Sequence, residues 1–523
     1  MKESCGVFGV YAPGKAVAQL TFDGLYALQH RGQESAGMAV SDGEAVTVVR
    51  DMGLVTTVFD ERTVSCLPGD LAIGHTRYST TGASEWRNAQ PVYRAVGSSG
   101  FALGHNGNLT NTAGLAEAAG MLPGVVASDS DLVAELLALR HPSDGVLGGG
   151  GHVGEGTSIG DRIGIGDDPG LGEPYVDAPS ATHEPDATGD VPDDALELAL
   201  RDVLPKVEGA FSFVLLDAHH LFGVRDPAGL RPLCLGRLGP PGAPEGWVLA
   251  SETPALDIVG ATFVRELEPG ELVVIDDGGV RSEFLFPEER VDPHLCIFEF
   301  VYFARPDSRL YGREVHGARR RMGELLAAQA PVDADLVMGV PESGVPAAEG
   351  YARASGIPHG QGLVKNRYIG RTFITPGQEA RSAGVRRKLN PLRENIVGRR
   401  IVVVDDSIVR GTTQRAVVRM LREAGAREVH LRISSPPLQW PCFYGIDIPD
   451  REQLIAATST IAEMEAFLGV DSLEYLSLDN LIAAIDAPGA GFCAACLTGE
   501  YPVPVPVSLG AARAEAATAS ATA

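Results

Sequence analysis

Two adjacent carboxylates, Asp405 and Asp406, follow the apolar run 401–404 and precede a polar turn that contains Gly411. β-Branched residues in such a run are typical of a strand that is buried on both faces of a parallel sheet. Carboxylates at the end of that strand can accept hydrogen bonds from vicinal sugar hydroxyls, or hold a hard cation together with water. Backbone N–H groups and threonine hydroxyls after the turn can bind a phosphate at a helix N-terminus. The pattern therefore predicts a site for a phosphorylated sugar.

The segment after this turn is predicted to be a helix that ends at Gly425. Its apolar residues recur at helical spacing, at Val417, Met420, Leu421 and Ala424. The alternative is an ordinary strand–helix corner with one capping aspartate. The acidic pair, together with the glycine and the paired threonines, favours the phosphate site over that alternative.

The sequence DDSIVRGTT at 405–413 resembles the phosphoribosylpyrophosphate (PRPP) loop of type I phosphoribosyltransferases. The resemblance implies that Asp405 and Asp406 bind the ribose hydroxyls and Mg²⁺, with one ion per subunit. It also implies that the following turn holds the 5′-phosphate of PRPP. The residues implied in that contact are Arg410, Gly411, Thr412 and Thr413.

A second turn, at 341–344, lies between a predicted strand and a predicted helix in ADLVMGVPESGVPAAEGYA. Its backbone can hold a pyrophosphate at the start of the helix, and a plain strand–helix turn is the alternative. The family resemblance implies that Ser343 and Gly344 bind the pyrophosphate of PRPP, and that Ser343 is associated with Mg²⁺.

The most basic stretch of the chain is 363–395, where three glycines separate the charges. Its basic residues include Lys365, Arg367, Arg371, Arg381, Arg386, Arg387 and Lys388. A loop that closes over a multiply anionic substrate fits this acidic protein better than a nucleic-acid patch does. The resemblance implies that the loop orders over PRPP, with Lys365 among the PRPP-binding residues.

A cysteine near the amino terminus, Cys5, precedes Gly6 and the strand-like sequence VFGV. A half-buried core thiol is one interpretation of this residue. If residues 1–4 were removed, Cys5 would carry a free α-amine that titrates near neutrality. That amine can act as the general base for the adjacent thiol, so the position of Cys5 is compatible with a nucleophile.

Four later segments carry groups that could bind an amino-acid substrate: LQHRGQESAG (28–37), GHTRYSTTG (74–82), GHNGNLTN (104–111) and SDS (128–130). An arginine suits an α-carboxylate, an aspartate suits an α-ammonium group, and an asparagine with a glycine N–H suits an oxyanion. The third segment is predicted to be a turn, and the fourth is predicted to open a helix. Each segment by itself favours a plain turn or a helix cap over a binding role.

In this order, these segments resemble the glutaminase domain of N-terminal-nucleophile amidotransferases, over 5–140 and again over 193–280. The resemblance implies that Cys5 is the nucleophile and that Arg77 and Asp129 bind glutamine. Asn106 and Gly107 are implied to form the oxyanion hole.

The chain has seven cysteines in 523 residues, which does not suggest a disulfide framework. Cys493 and Cys496 form a Cys-x-x-Cys pair, which is a metal-binding feature that is not specific to one metal. Zinc would need two further ligands, and none is close in sequence. Resemblance to the [4Fe–4S] branch of the PRPP amidotransferases implies one structural cluster per subunit, with Cys296, Cys442, Cys493 and Cys496 as ligands. Cys66 and Cys234 are predicted to be buried thiols.

The length predicts two or three domains. We expect a propeptide at 1–4, a glutaminase domain at 5–285, a flexible acidic insertion within it at 141–194, a phosphoribosyltransferase domain at 286–508 and a disordered tail at 509–523. The implied fold class is α+β and α/β. It consists of an N-terminal-nucleophile αββα sandwich followed by a type I phosphoribosyltransferase α/β domain. The cluster-containing branch usually carries a longer propeptide than MKES.

The formal net charge of −25 argues against a nucleic-acid partner, because no basic face could easily dominate such a surface. No apolar run is long enough to span a bilayer, and no secretory leader is visible, so we expect no membrane partner and a cytoplasmic location. The resemblance further implies a homotetramer and feedback inhibition by purine nucleotides.

Both halves resemble glutamine-dependent PRPP amidotransferases. The implied reaction converts PRPP, L-glutamine and water to 5-phosphoribosylamine, L-glutamate and pyrophosphate, the first committed step of de novo purine (IMP) biosynthesis. A glucosamine-6-phosphate or asparagine synthetase would share the amino-terminal half but lacks DDSIVRGTT. A catalytically silent regulator that senses PRPP would need neither Cys5 nor GHNGN.

Overall fold

The computed structural model describes residues 5–78, 85–96, 99–122, 124, 126–141, 194–366, 387–446 and 450–506. The predicted propeptide, nearly all of the predicted acidic insertion and the predicted tail lie outside these residues. The centre of the basic stretch, 367–386, lies outside them as well.

The first half of the chain forms two antiparallel sheets. The strands are β1 Gly6–Tyr11, β2 Ser35–Ser41, β3 Val46–Met52, β4 Leu71–Arg77, β5 Val92–Val96, β6 Ser99–Leu109, β7 Gly209–Leu216, β8 Leu221–Arg225, β9 Cys234–Leu238, β10 Gly246–Ala250, β11 Thr262–Glu266, β12 Glu271–Asp276 and β13 Gly279–Phe284. The first sheet has the order β11-β9-β10-β1-β4-β2-β3, and the second has the order β13-β12-β8-β7-β6-β5.

Helices cover the outer faces of both sheets. The helices of this half are α1 Val17–Ala27, α2 Val55–Val58, α3 Glu61–Ser65, α4 Thr112–Ala118, α5 Asp129–Arg140, α6 Ala195–Val203 and α7 Thr253–Ile258. Side chains alternate across each strand, so Val7 of β1 packs between the sheets, whereas Phe8 packs outward against Leu25 of α1. Leu103 of β6 packs outward against Val133 of α5. The result is the predicted αββα sandwich.

The second half is built on a parallel sheet. Its elements are β14 Leu295–Cys296, a π-helix Glu299–Phe303, β15 Arg309–Leu310, β16 Arg313–Glu314, α8 Val315–Gln329, β17 Leu336–Gly339, α9 Val345–Ser355, β18 Leu363–Lys365, β19 Leu389–Pro391, α10 Arg393–Ile396, β20 Arg400–Asp405, α11 Thr412–Glu423, β21 Glu428–Ile433, α12 Ile455–Thr458, α13 Ile461–Leu468, β22 Ser472–Tyr475, α14 Leu478–Ile485, β23 Phe492–Cys493 and α15 Ala495–Thr498. The order β17-β20-β21-β22 is parallel throughout.

Strand β20 is buried on both faces, as the apolar run 401–404 predicts. Val402 and Val404 pack in one core with α8 and α9, whereas Ile401 and Val403 pack in another with α11 and α13. The fold class predicted from the sequence is therefore confirmed for this half too.

Two local predictions are wrong. GHNGNLTN was expected to be a turn, but residues up to Leu109 continue β6, because a full ladder with β7 pairs Asn106 with Ser212. These hydrogen bonds outweigh the turn preference of glycine and asparagine. Cys66 is exposed rather than buried, because it ends the short surface helix α3, of which only Val64 is buried.

Apolar residues of both halves share one core, in which Leu230 of the first half packs with Phe298 and Tyr444 of the second. The halves are therefore packed directly on one another. Among the residues described, no helix combines the length and the apolar character that a membrane crossing requires.

Candidate functional site

Cys5 lies immediately before β1 and is only 7% exposed. Because residues of one parity share a face, Cys5 lies on the same side as Val7, toward the space between the two sheets. The thiol donates to the Tyr78 carbonyl oxygen at 3.4 Å, and the Tyr78 N–H donates to the sulfur at 3.5 Å. These contacts fix the sulfur at the end of β4.

Arg77 and Asn106 lie on strands that face the same space as Cys5. On β4, Ile73 packs between the sheets, and Arg77 has the same parity. On β6, Ala102 packs between the sheets, and Asn106 has the same parity. The structure therefore brings together three side chains that the sequence places far apart.

Gly107 and Asp129 lie beside this space. A Cβ atom on Gly107, which has a φ of +153°, would be 2.0 Å from the carbonyl oxygen of Ala210, so only glycine fits this position. Asp129 is the first residue of α5, and its carboxylate accepts a hydrogen bond from the Leu109 N–H at 3.2 Å. The hydrogen bond between Leu109 and Asp129 thus places the predicted ammonium-binding aspartate near the end of β6, where the predicted oxyanion residues Asn106 and Gly107 lie.

The electrostatics of Cys5 disfavour a free thiolate. Burial raises the pKa of the Cys5 thiol, and the charge of Arg77 opposes that effect while Asp129 and Glu34 add to it. A thiol that is neutral at physiological pH attacks a carbonyl only with a general base beside it. The predicted base, the α-amine that would follow from removal of residues 1–4, lies outside the described residues.

A buried ion network of Arg31, Glu252 and Glu299 lies next to Cys5, and no sequence pattern predicts it. Arg31 donates from Nε to the carbonyl oxygen of Cys5 at 3.0 Å, and it forms ion pairs with Glu252 and Glu299. The only sequence signal was that Arg31 lies in LQHRG and Glu299 lies three residues after Cys296. Burial works against the Arg31 charge, but the two carboxylates outweigh it and raise its pKa.

The acceptor half places Asp405 and Asp406 at the carboxyl end of β20. Both are nearly buried, and the Asp405 carboxylate accepts a hydrogen bond from Gln414 Nε2 at 3.0 Å. Ser407 donates its hydroxyl to Asp406. Burial raises the pKa of Asp405 well above its ordinary value, and the neighbouring Asp406 charge raises it further. A cation between the two carboxylates would relieve that repulsion.

The turn at 341–344 lies against the same strand end. The Val340 N–H donates to the Val404 carbonyl oxygen at 2.8 Å. A Cβ atom on Gly344 would be 2.4 Å from that oxygen and 3.2 Å from the Cα of Asp405, so glycine permits the close approach. Gly344 caps α9, and the half-buried Ser343 precedes it. The turn 341–344 therefore lies at the carboxyl ends of β17 and β20, beside Asp405, where ligands bind in such sheets.

The turn 410–413 leads into a helix, as the sequence predicts. The side chain of Arg410, the first residue of this turn, contacts Gln453. Gly411 caps α11 with a φ of 71°, and Thr412 and Thr413 occupy the first two helical positions, where N–H groups are free of intrahelical partners. The Arg410 guanidinium donates to Gln453 Oε1, at 2.6 Å from Nη2.

Lys365 ends β18, and its Nζ is 3.5 Å from Glu342 Oε2 in the pyrophosphate turn. Strand β18 pairs with β19, so the ends of the basic stretch are held together beside the acceptor site. The predicted PRPP residues that the structure gathers at this edge are Ser343, Gly344, Lys365, Asp405, Asp406, Gly411, Thr412 and Thr413.

Four cysteines of the second half lie near one another. Cys296 and Cys493 are paired directly in the parallel strands β14 and β23, and Cys496 lies in α15. The Trp440 N–H donates to the Cys496 carbonyl oxygen at 3.1 Å, which ties the loop of Cys442 to α15. All four residues are buried, each with 7% of its surface exposed.

This set fits a cluster better than a single ion. In the part of the chain that the structure describes, no three His, Cys, Asp or Glu side chains converge on one point as a lone ion requires. The Cys296, Cys493 and Cys496 thiols nevertheless lie close enough to one another and to Cys442 for their charges to interact. A four-iron cluster gives each thiolate its own iron, so it needs wider spacing than zinc does.

The surroundings suit sulfur ligands that become anionic on metal binding. Burial raises the pKa of Cys296 to about 12, so binding must displace a proton. Backbone N–H groups face three sulfurs, from Phe298 to Cys296, from Tyr444 to Cys442 and from Ala495 to Cys493. The guanidinium of Arg231 is fully buried beside Cys296 and Cys442.

A cysteine at the open end of an αββα sandwich, joined to a parallel sheet with two anion-binding turns, defines a two-site amidotransferase with a phosphoribosyltransferase half. The family model "Phosphoribosyl transferase domain" matches residues 314–434. The chain is 51% identical to the Amidophosphoribosyltransferase of Mycobacterium leprae, over 96% of this chain and 82% of that protein. It is 46% identical to the enzyme of that name from Synechococcus elongatus, over 96% and 92% of the two chains.

Solved structures agree. Glutamine PRPP amidotransferase from B. subtilis, complexed with ADP and GMP, is 40% identical with a TM-score of 0.78, over 96% of this chain and 98% of that one. The solved structure of an allosteric regulatory enzyme of purine biosynthesis is also 40% identical, with a TM-score of 0.79, over 96% of this chain and 97% of that one. The chain belongs to the amidophosphoribosyltransferase family. Its reaction is glutamine-dependent amidotransfer to PRPP in purine biosynthesis.

Proposed function

We propose that Cys5 is the nucleophile that releases ammonia from glutamine, and that Asp405 and Asp406 organise the site where ammonia meets PRPP. The observation that carries the proposal is that Cys5, Arg77 and Asn106 face one space between the two sheets. Such a set of a thiol, a cation and an amide donor suits an amino-acid amide substrate.

The glutamine reaction needs a base, because burial raises the pKa of the Cys5 thiol. Removal of residues 1–4 would supply it as the α-amine of Cys5. The sulfur attacks the side-chain amide carbon, and the Asn106 side chain and the Gly107 N–H stabilise the oxyanion. Ammonia leaves, and water hydrolyses the γ-glutamyl thioester to glutamate. Arg77 binds the α-carboxylate of glutamine and Asp129 binds its α-ammonium group.

In the acceptor reaction, ammonia crosses a sequestered path and attacks C1 of PRPP. The bond between C1 and the pyrophosphate oxygen breaks, which gives 5-phosphoribosylamine and pyrophosphate. The turns 341–344 and 410–413 hold the pyrophosphate and the 5′-phosphate through helix N-termini. Asp405, Asp406 and Ser343 would hold Mg²⁺, which offsets charge on the leaving group when it is bound. We further propose that the basic stretch 363–395, whose centre lies outside the described residues, closes over bound PRPP and excludes water.

We propose that Cys296, Cys442, Cys493 and Cys496 hold one [4Fe–4S] cluster with a structural role, since the reaction moves no electrons. The solved relative complexed with ADP and GMP supports purine nucleotides as feedback inhibitors. The homotetramer, the cytoplasmic location and the domain boundaries given by the sequence stay predictions.

The test is an assay of Cys5→Ala with glutamine and with ammonium as alternative nitrogen donors. We expect glutamine-dependent activity to be lost and ammonium-dependent activity to be retained, because the acceptor site is untouched. Cys234→Ala is the matched control, since it removes another buried thiol of the same half, on β9. A Cys5→Ala variant that keeps its glutamine-dependent activity would contradict the proposal.

A further inference from the structure

Glu299 belongs to the acceptor half, yet it forms a two-pronged ion pair with Arg31 of the glutaminase half. The π-helix Glu299–Phe303 carries this glutamate. Its Oε1 accepts from Arg31 Nη2 at 2.8 Å, and its Oε2 accepts from Arg31 Nη1 at 3.0 Å. Glu299 is fully buried and Arg31 is 1% exposed. A planar fork of this kind fixes the orientation of the guanidinium as well as its position.

The orientation of the Arg31 guanidinium determines where its third N–H group, on Nε, points. Its Nε donates to the carbonyl oxygen of Cys5 at 3.0 Å. Cys5 lies one residue before the ladder of β1 begins, at Gly6. If residues 1–4 are removed, Cys5 becomes a chain terminus, and termini lose order unless they are tied down. Arg31 ties down the backbone of this residue.

The carboxylate of Glu299 is itself held from two sides. Arg231 Nη1 is 3.4 Å from Glu299 Oε1, and Arg231 also donates to the Tyr444 carbonyl oxygen. The π-helix is fixed by Arg319, which donates to the carbonyl oxygens of Phe300 and Ala304, each at 2.8 Å. The glutamate thus has little freedom to move away from Arg31.

Two carboxylates share Arg31, and they come from different halves of the chain. Glu252, in the glutaminase half, also contacts His30, and it accepts hydrogen bonds from Ser308 and from the Arg305 backbone N–H. Without Glu299, Glu252 would pull the guanidinium from one side only. The Cys5 contact therefore depends on a residue that the acceptor half supplies.

We infer that Glu299 is a positioning residue for the glutamine reaction: it holds Arg31 against the Cys5 carbonyl and so sets the nucleophile opposite Asn106. The inference rests on the proposed role of Cys5 as nucleophile. It means that the glutaminase nucleophile is fully positioned only when the acceptor half is docked. Small displacements of a reacting atom cost rate rather than substrate affinity.

The experiment compares Glu299→Gln with the wild type in the full-length enzyme. The substitution keeps the size of the side chain but replaces one acceptor oxygen with an NH₂ group that faces a guanidinium N–H. We expect kcat with glutamine to fall by roughly 10–10²-fold. The KM for glutamine should stay within about twofold, because Arg77 and Asp129 are untouched. Ammonium-dependent activity should be unchanged.

The matched control is Arg305→Gln, which also removes a contact between the halves, to the Ala27 carbonyl oxygen at 3.2 Å, but does not touch Arg31. It should keep both activities. Equal loss of the glutamine and ammonium reactions in Glu299→Gln would indicate a purely structural role and overturn the inference. So would a kcat with glutamine that equals that of Arg305→Gln.

If Glu299→Gln does not fold, the Arg31→Lys variant tests the inference instead. Lysine keeps the positive charge but lacks the Nε–H group that donates to the Cys5 carbonyl oxygen. This variant should show the same fall in kcat with an unchanged KM, and a normal kcat would overturn the inference. The Cys5→Ala variant distinguishes a failure of the positioning role of Glu299 from a failure of the proposed role of Cys5 as nucleophile. Only the positioning role fails when Cys5→Ala loses the glutamine reaction and Glu299→Gln keeps it.

Discussion

The two reaction sites of this protein are built in opposite ways. The proposed glutamine site takes Arg77 from β4, Asn106 from β6 and Cys5 from the residue before β1, so its geometry depends on how the two sheets pack. The acceptor site takes most of its groups from the contiguous segment 405–413 and from one neighbouring turn. A nonlocal site requires accurate docking of large elements, whereas a local site needs only a strand, a turn and a helix start.

The charges differ as well. Around Cys5, the buried Arg31 is balanced by Glu252 and Glu299, so this site is prepared before substrate arrives. At the acceptor site, Asp405 and Asp406 lie side by side, and burial together with their mutual repulsion raises the pKa of Asp405. The charges around Cys5 are balanced by protein groups alone, whereas the carboxylate pair would be stabilised by a bound cation.

The largest expected effect comes from the cysteine set, because the loop of Cys442 reaches the proposed glutamine site. Gly445 follows this loop, and a Cβ atom there would be 2.8 Å from the carbonyl carbon of Gly107. If the four cysteines hold the proposed cluster, Cys442→Ser should abolish binding of iron and sulfide and lower the free energy of unfolding by roughly 3 kcal/mol or more. Iron and acid-labile sulfide analysis and thermal unfolding measure both. Stoichiometric zinc in the wild type would overturn the cluster assignment.

Asn106→Ala should reduce kcat of the glutamine reaction by roughly 10²–10³-fold, because it removes one oxyanion donor. The ammonium reaction should be unaffected, since the acceptor site shares no side chain with this strand. Asn111→Ala, which lies just beyond β6 and donates to the Lys206 carbonyl oxygen, serves as the control. An equal loss of both reactions would mean that the two sites are not separate.

Asp405→Asn should reduce the PRPP reaction by roughly 10²-fold, while glutamine hydrolysis persists. It should also raise the free energy of unfolding by roughly 0.5–2 kcal/mol in metal-free buffer, because a buried like charge is removed. The raised pKa means that the folded state holds the Asp405 proton more tightly than the unfolded state does. The advantage of the variant should therefore grow as the pH rises above the ordinary aspartate range, and shrink when Mg²⁺ is added. Denaturant unfolding at several pH values tests this, and a variant less stable than the wild type would contradict it.

The smallest effect is expected for Arg410→Ala. Its guanidinium contacts Gln453, so we expect the backbone N–H groups at the start of α11 to make the main contacts with the 5′-phosphate. The KM for PRPP should rise by less than about tenfold, which is the loss of one charge-assisted hydrogen bond at an exposed site. A larger rise would show that Arg410 turns toward PRPP when substrate binds.

The same contrast explains which features could be predicted from the sequence. The strand, acidic pair, turn and helix of 400–423 are encoded in neighbouring residues, so periodicity and turn chemistry found them. The strand at Asn106 was predicted to be a turn, because its partner Ser212 lies far away along the chain. The Arg31–Glu299 pair was missed for the same reason, since no local spacing links two charges from different halves.

The most direct test of the account is to quench the enzyme with acid during turnover with glutamine and to map its peptides by mass spectrometry. We predict a γ-glutamyl adduct on the peptide that begins at Cys5, with no residue before it, and an adduct that increases when hydrolysis of the thioester is slowed. An adduct on any other cysteine, or turnover with no adduct on Cys5, would contradict the account.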